Sequence, residues 1–254
     1  MTKIMAVTNQ KGGVGKTTTT VNLAASLAAA KKRVLLIDLD PQGNATMGSG
    51  INKSELKLTV YNVLLGECTV EQAKIISETG KFDILPANRD LAGAEIELVD
   101  IEGRELRLKN ELREIASSFD YILIDCPPAL NLLTLNGLCA AQSVMIPMQC
   151  EYYALEGLSD LVNTIRKVRE NLNPDLEIEG LLRTMFDPRN TLAQQVSDQL
   201  QQHFGEKVYR TVIPRNVRLA EAPSYGVPAL YHDALSKGTQ AYLALAGELL
   251  NNAG

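Results

Sequence analysis

Along this chain, short blocks of consecutive hydrophobic residues alternate with longer stretches in which apolar positions recur every three or four residues. A continuous apolar block marks a strand buried on both faces of a parallel sheet, and the longer spacing marks a helix covering one face. Lys3 to Thr8 is the first such block, and Arg33 to Asp38 is the second. Between them, segment 17–30 (TTTTVNLAASLAAA) reads as a helix whose small residues allow close packing on a sheet. Further strands are predicted at 82–86, 120–125, 143–147, 178–185 and 208–213. Leu155, Leu158, Leu161, Val162, Ile165, Val168 and Leu172 fall on one face of a long helix. Segment 45–118 is less legible, with helical patterns at 59–66 and 102–117. The alternation predicts an α/β fold: one domain over 1–254, a single doubly wound, mostly parallel sheet with helices on both faces.

Composition adds few restrictions. At 254 residues and 45% hydrophobic, the chain can bury one large core. It contains no apolar run of the roughly eighteen residues a membrane span needs. The apolar part of the N-terminus is too short for a signal peptide, so export is not expected. Cys68, Cys126, Cys139 and Cys150 form no Cys-x-x-Cys pair, and with His203 and His232 as the only histidines the zinc spacings are missing. Free thiols in a reducing cytosol are the expectation. A net charge of −5 argues against a globally basic nucleic-acid binder and leaves room for a local basic face.

Candidate chemistry concentrates after the first strand, in Lys11-Gly12-Gly13-Val14-Gly15-Lys16-Thr17-Thr18. Consecutive backbone N–H groups in such a loop converge on phosphate oxygens, and the following helix adds its N-terminal dipole. The glycines supply the dihedrals and the close approach. The usual spacing would put a glycine at position 10, where this chain has Gln10. Lys16 and Thr17 still stand where a phosphate-binding lysine and a Mg²⁺-binding hydroxyl belong, and Thr18 is placed for the α-phosphate. Asp125 ends an apolar strand, which suits a carboxylate facing Mg²⁺ through a water. Asp38 and Asp40 come at the close of the second strand, Asp38 either following it or forming its end. Asp40 is assigned to orienting the attacking water or joining the Mg²⁺ shell, with capping of the turn at Pro41 as the plainer alternative. Lys11, just before the paired glycines, is positioned to reach a phosphate in a facing subunit, much as an arginine finger does.

The blocks KGGVGKTT, DPQGN (40–44), IDCPP (124–128), PMQCEYYALEGL (147–158) and VIPRNVRLAEAPSYG (212–226) together resemble the ParA/Soj chromosome-partitioning ATPases from end to end. The first block alone would indicate only the wider deviant-Walker group, which also holds MinD and the nitrogenase iron protein. The resemblance implies ATP and Mg²⁺ as ligands and an ATP-dependent sandwich homodimer in which Lys11 crosses the interface. It further implies DNA binding without sequence preference by that dimer, and hydrolysis stimulated by a ParB-type partner. It places Pro214 and Asn216 in the adenine pocket and Arg189 and Arg218 on DNA, in a cytoplasmic, nucleoid-associated protein without membrane attachment.

The residues themselves support a basic face made of Arg183, Arg189, Lys207, Arg210, Arg215 and Arg218. Contacts from one copy are few, and affinity for DNA grows steeply with the number of phosphates neutralised. Doubling them by dimerisation is then expected to gate DNA binding without any rearrangement of the basic face. A MinD-like membrane switch would need a basic amphipathic tail, whereas no basic residue follows Lys237. An iron–sulfur carrier would need cysteines at a dimer interface, for which Cys126 and Cys139 are the candidates.

Overall fold

The computed structural model describes residues 2–252, and its strands join one eight-stranded sheet. In chain order the elements are β1 (Lys3–Val7), α1 (Lys16–Ala29), β2 (Val34–Asp38), α2 (Asn44–Gly48), α3 (Val60–Leu65), α4 (Val70–Ala73), β3 (Ile75–Ser77) and β4 (Phe82–Leu85). There follow α5 (Leu91–Glu97), α6 (Arg107–Leu112), β5 (Tyr121–Asp125), α7 (Leu132–Ala140), β6 (Ser143–Gln149) and α8 (Ala154–Asn171). The last are β7 (Glu177–Phe186), α9 (Thr191–Phe204), β8 (Val208–Pro214), α10 (Val217–Glu221), α11 (Ala229–His232) and α12 (Lys237–Asn252). The strand order is β3-β4-β2-β5-β1-β6-β7-β8, parallel throughout except for the β3–β4 pair.

The apolar blocks are continuous because each strand feeds two cores. Leu35 and Ile37 of β2 and Ile122 and Ile124 of β5 enter the core covered by α3, α5, α6, α7, α8 and α9. Val34 and Leu36, with Tyr121 and Leu123, enter the opposite core under α1 and α12. Each fully buried leucine or isoleucine contributes about 1.5–3 kcal/mol relative to exposure. The chain passes from β1 to β2 and β4, returns to lay β5 beside β1, and then crosses to β6 on the other side. That reversal leaves a crevice beyond the carboxyl end of β1, where open α/β sheets bind their ligands.

Several elements differ from the sequence reading. The helix predicted over 102–117 is divided into a 3₁₀ turn at Arg104–Leu106, the short α6, and a second 3₁₀ turn at Ala116–Ser118. Buried Asn136 of α7 is responsible at its start: its Nδ2 donates to the Arg104 carbonyl, and its Oδ1 accepts from Leu108 N–H. The predicted strands omitted the short antiparallel β3. Helix α9 was also not predicted, although Asn190 caps it by accepting from the N–H groups of Leu192 and Ala193. At 59–66 the helical pattern is realised as α3, with Thr59 in a capping box and Gly66 at φ 79° as its terminator. Helix α12 buries Tyr242, Leu245 and Leu249, so its apolar face is committed to the core. Among the described residues no helix is long and apolar enough to cross a membrane.

Candidate functional site

The loop between β1 and α1 is held open from several sides. Asn9 ties it down, its Nδ2 donating to the Pro147 carbonyl at 2.8 Å and its Oδ1 accepting from Lys11 N–H at 3.0 Å. Val14 is buried, and its carbonyl accepts from the Thr184 hydroxyl at 2.7 Å. Gly13 and Gly15 adopt φ of 74° and 87°, in the left-handed region that glycine alone enters without strain. A Cβ placed on Gly12 or Gly13 would meet no atom within 4 Å, so this part of the loop borders open space. No side chain caps the start of α1. Its first N–H groups and dipole therefore face that space, as an anion site requires.

Lys16 is buried, and its Nζ curls back to the Lys11 carbonyl at 3.0 Å. Burial lowers its pKa, opposed by the carboxylates of Asp125 and Asp40 and by Cys126. The parallel register sets Asp38 of β2 directly beside Asp125 of β5, both fully buried at the end of their strands. Asp125 accepts from Thr17 Oγ1 at 2.7 Å and from Thr20 Oγ1 at 3.1 Å. Asp38 accepts from Asp40 N–H and from both the N–H and the hydroxyl of Thr46. Burial raises the pKa of both acids well above the carboxylate range; the Asp38 charge adds to the rise at Asp125, and the hydrogen bonds work against it. Two buried carboxylates beside a phosphate loop are the donor chemistry of a cation site. Among the described residues no group of three or more His, Cys, Asp or Glu side chains is arranged to hold a metal by itself. The Thr17 hydroxyl backed by Asp125 instead offers the one or two protein ligands that Mg²⁺ takes when phosphates and water complete its shell.

The raised acids have a measurable consequence. A carboxyl whose folded pKa lies above its unfolded value binds more protons when folded, so its destabilising effect grows as pH rises through and above the ordinary carboxylate range. Nucleotide-free protein is expected to lose thermal stability between about pH 5 and pH 8. Asp125→Asn should flatten that slope and raise the melting temperature at the upper pH, by roughly 2–4 °C for each kcal/mol relieved. Thermal melts across this range test it, and an unchanged slope would place the titration elsewhere.

Asp40 is partly buried, and its Oδ1 accepts from Gln42 N–H at 2.9 Å. The turn-capping alternative for this residue is thus realised. The turn closes on Gly43, at φ 63°, where a Cβ would lie 2.8 Å from the Ala87 carbonyl. Thr18 separates two apolar clefts. One, of about 200 Å³, is lined by Thr18, Thr184, Met185, Pro214, Arg215 and Asn216, so Pro214 and Asn216 do border a cavity continuous with Gly15. The other, of about 270 Å³, lies toward Met47 and Pro223. Asn216 also caps α10, its Oδ1 accepting from Leu219 N–H. Sequence reasoning missed Asn9, Thr20, Thr46 and Thr184. Single polar residues at strand ends and within helices carry no motif, and only the fold shows what they hold.

Lys11 turns away from its own loop, and its Nζ pairs with exposed Glu151 beyond β6. Arg189 and Arg218 stand on the segments following the adjacent strands β7 and β8, both at the carboxyl end of the sheet. Arg215 is close enough to help hold Asp187 low, after the hydrogen bonds from Arg189. Arg183 does not belong with them. Its guanidinium is half-buried, donates to Ser197 Oγ and to the Tyr209 and Arg210 carbonyls, and braces β7 against β8 and α9. The iron–sulfur alternative fails on burial. Cys126 and Cys139 are fully buried, burial pushes both thiols up, and the Cys126 sulfur packs on Gly137, where a Cβ would come within 2.8 Å of it.

Comparison with known proteins agrees with this geometry. A family profile described as an AAA domain matches residues 2–178. The sporulation initiation inhibitor protein Soj of Bacillus subtilis is 55% identical over 99% of this chain and 100% of its own length. The chromosome partitioning protein ParA of Myxococcus xanthus is 52% identical over 98% of this chain and 88% of its own. Among solved structures, cobyrinic acid a,c-diamide synthase of Mycobacterium smegmatis with a bound ATP analogue and magnesium superposes with a TM-score of 0.87. It is 40% identical and covers 99% of this chain and 95% of that one.

Proposed function

Because this chain belongs to the ParA/Soj family of P-loop ATPases, we propose that it is a DNA-partitioning ATPase in which ATP binding drives dimerisation and DNA binding. ATP and Mg²⁺ are its ligands, and ATP hydrolysis is its reaction. The observation that carries the reading is the pairing of an open phosphate loop with Thr17 on Asp125, while Lys11 stands clear of its own loop. Lys16 and the loop amides would hold the β- and γ-phosphates. Thr17, with Asp125 and Asp40 close by, would hold Mg²⁺, which when bound neutralises charge on those phosphate oxygens. The free carboxylate edge of Asp40 would orient the attacking water, and Thr18, Pro214 and Asn216 would border the nucleoside. Lys11 would leave Glu151 to reach the nucleotide of a second copy, completing that copy's site. Hydrolysis is slow until a ParB-type partner stimulates it, and the reset monomer leaves the DNA of the nucleoid.

The two partitioning relatives, at 55% and 52% identity, are nearer in sequence than the M. smegmatis synthase at 40%. A MinD-like membrane role has less support, because α12 packs its apolar face into the core. Size-exclusion chromatography with and without ATP, repeated with random-sequence duplex DNA, tests the proposal. A shift to dimer with ATP and co-elution with DNA only in that state are expected. Arg189→Ala and Arg218→Ala should still dimerise with ATP but bind DNA several-fold more weakly, with a shallower salt dependence. An ATP-independent monomer would overturn the dimer cycle, and unaltered salt dependence would move the DNA face elsewhere.

A further inference from the structure

Both arginines assigned to DNA are already engaged by carboxylates of their own chain. Arg189 makes a two-pronged pair with Asp187, through Nε at 3.0 Å and Nη2 at 2.9 Å. Arg218 is held more heavily. Its Nη1 donates to Glu221 Oε2 at 2.9 Å, and its Nε lies 3.3 Å from Asp233 Oδ2. Glu221 is itself held from the other side: His232 Nε2 is 3.6 Å from the same oxygen, and the imidazole stacks on Tyr225 at a centroid distance of 4.8 Å. Around Arg218 one guanidinium therefore faces two carboxylates, and a DNA phosphate approaching it meets a site with a net negative charge. Doubling such a site by dimerisation doubles a repulsion. At Arg218, then, carrying the arginine in two copies does not by itself supply a free phosphate contact.

We propose that Glu221 and Asp233 form an intramolecular clamp on Arg218, so that DNA binding requires exchange of these carboxylates for backbone phosphates and not dimerisation alone. The inference rests on the assignment of Arg218 to DNA made above. Glu221 shares α10 with Arg218, whereas Asp233 follows α11, so a shift of one short helix against the other releases the Asp233 contact and leaves the Glu221 contact to side-chain rotation. Arg218, Glu221 and Asp233 all remain partly exposed, and such pairs add little stability. An exchangeable clamp needs that weakness.

The test is a double-mutant cycle on the full chain, bound to a non-hydrolysable ATP analogue with Mg²⁺. Fluorescence anisotropy with random-sequence duplex DNA at several salt concentrations is the readout. Glu221→Gln together with Asp233→Asn, both near-isosteric, should tighten binding roughly 5–10-fold. The log–log salt slope should steepen by about 0.9 for each phosphate newly contacted. In an Arg218→Ala background the same pair should change affinity less than about 2-fold. A gain that persists without Arg218 would show a general field effect and overturn the clamp. So would the absence of any gain while Arg218→Ala alone still weakens binding. If Arg218→Ala has no effect in either background, the DNA assignment of Arg218 itself falls. Each single carboxamide, which leaves one carboxylate in place, should give an intermediate gain.

Discussion

Lys16→Ala is expected to weaken ATP binding by about 10²–10³-fold and to bring DNA binding down to its nucleotide-free level. Lys16 is the buried cation of the phosphate loop, with 7% of its surface exposed. Its ammonium already bends over the loop to the Lys11 carbonyl. Truncating one partner of a buried, hydrogen-bonded charge pair costs about 2–5 kcal/mol, and here the partner left unpaired is a triphosphate. Burial disfavours the Lys16 ammonium more than Asp125 and Asp40 favour it, so the loss of ATP binding should not come with a comparable electrostatic loss of stability in the nucleotide-free protein. Isothermal titration with ATP and Mg²⁺, alongside a DNA-binding assay, measures both losses. Wild-type DNA retention by a variant that no longer binds ATP would separate DNA binding from the nucleotide site and end the gating argument.

Asp40→Ala should do the opposite to binding and more to chemistry. ATP binding is expected to persist, with hydrolysis reduced by about 10²–10³-fold and the dimer trapped on DNA; a positioned base contributes about 10²–10⁴ to rate. In the structure Oδ1 of Asp40 holds the turn through Gln42 N–H, and the proposed reaction asks its other carboxylate oxygen to orient water. Alanine removes both. Asp40→Asn keeps an acceptor for the turn and loses only the charge, so equal loss of turnover in the two variants would assign the effect to the carboxylate. Single-turnover phosphate release, read beside the dimer fraction, makes the distinction. Turnover at the wild-type rate in either variant would remove Asp40 from the reaction.

The two carboxylates that differ by two positions show where sequence reading stops. Asp38 and Asp40 look alike in the chain, both following an apolar strand. In the fold Asp38 points into the protein beside Asp125, where it fastens Thr46 and the Asp40 backbone, and Thr46 in turn accepts from Ala87 N–H. It is a strut for the turn that presents Asp40. The choice of Asp40 over Asp38 for water positioning rests on Asp38 belonging to the strand end, but the strut needed the neighbouring strand to be seen. The same limit applies to the arginines. Their clustering was visible as sequence proximity, whereas the half-burial of Arg183 and the carboxylates on Arg189 and Arg218 come from residues brought in by other elements.

By itself the sequence determined the phosphate loop, the strand that ends in Asp125, and the alternation of strands and helices that a doubly wound sheet requires. These are local matters: glycine dihedrals, a lysine at fixed spacing, and apolar periods of a strand or a helix over a few residues. Tertiary structure decided the rest. The β2–β5 register set Asp38 against Asp125, α7 broke the helix predicted before it, and Lys11 was left paired to Glu151 beyond β6. These are pairings between segments far apart in the chain. Their energies depend on burial and on neighbouring charge, which no short window of residues contains.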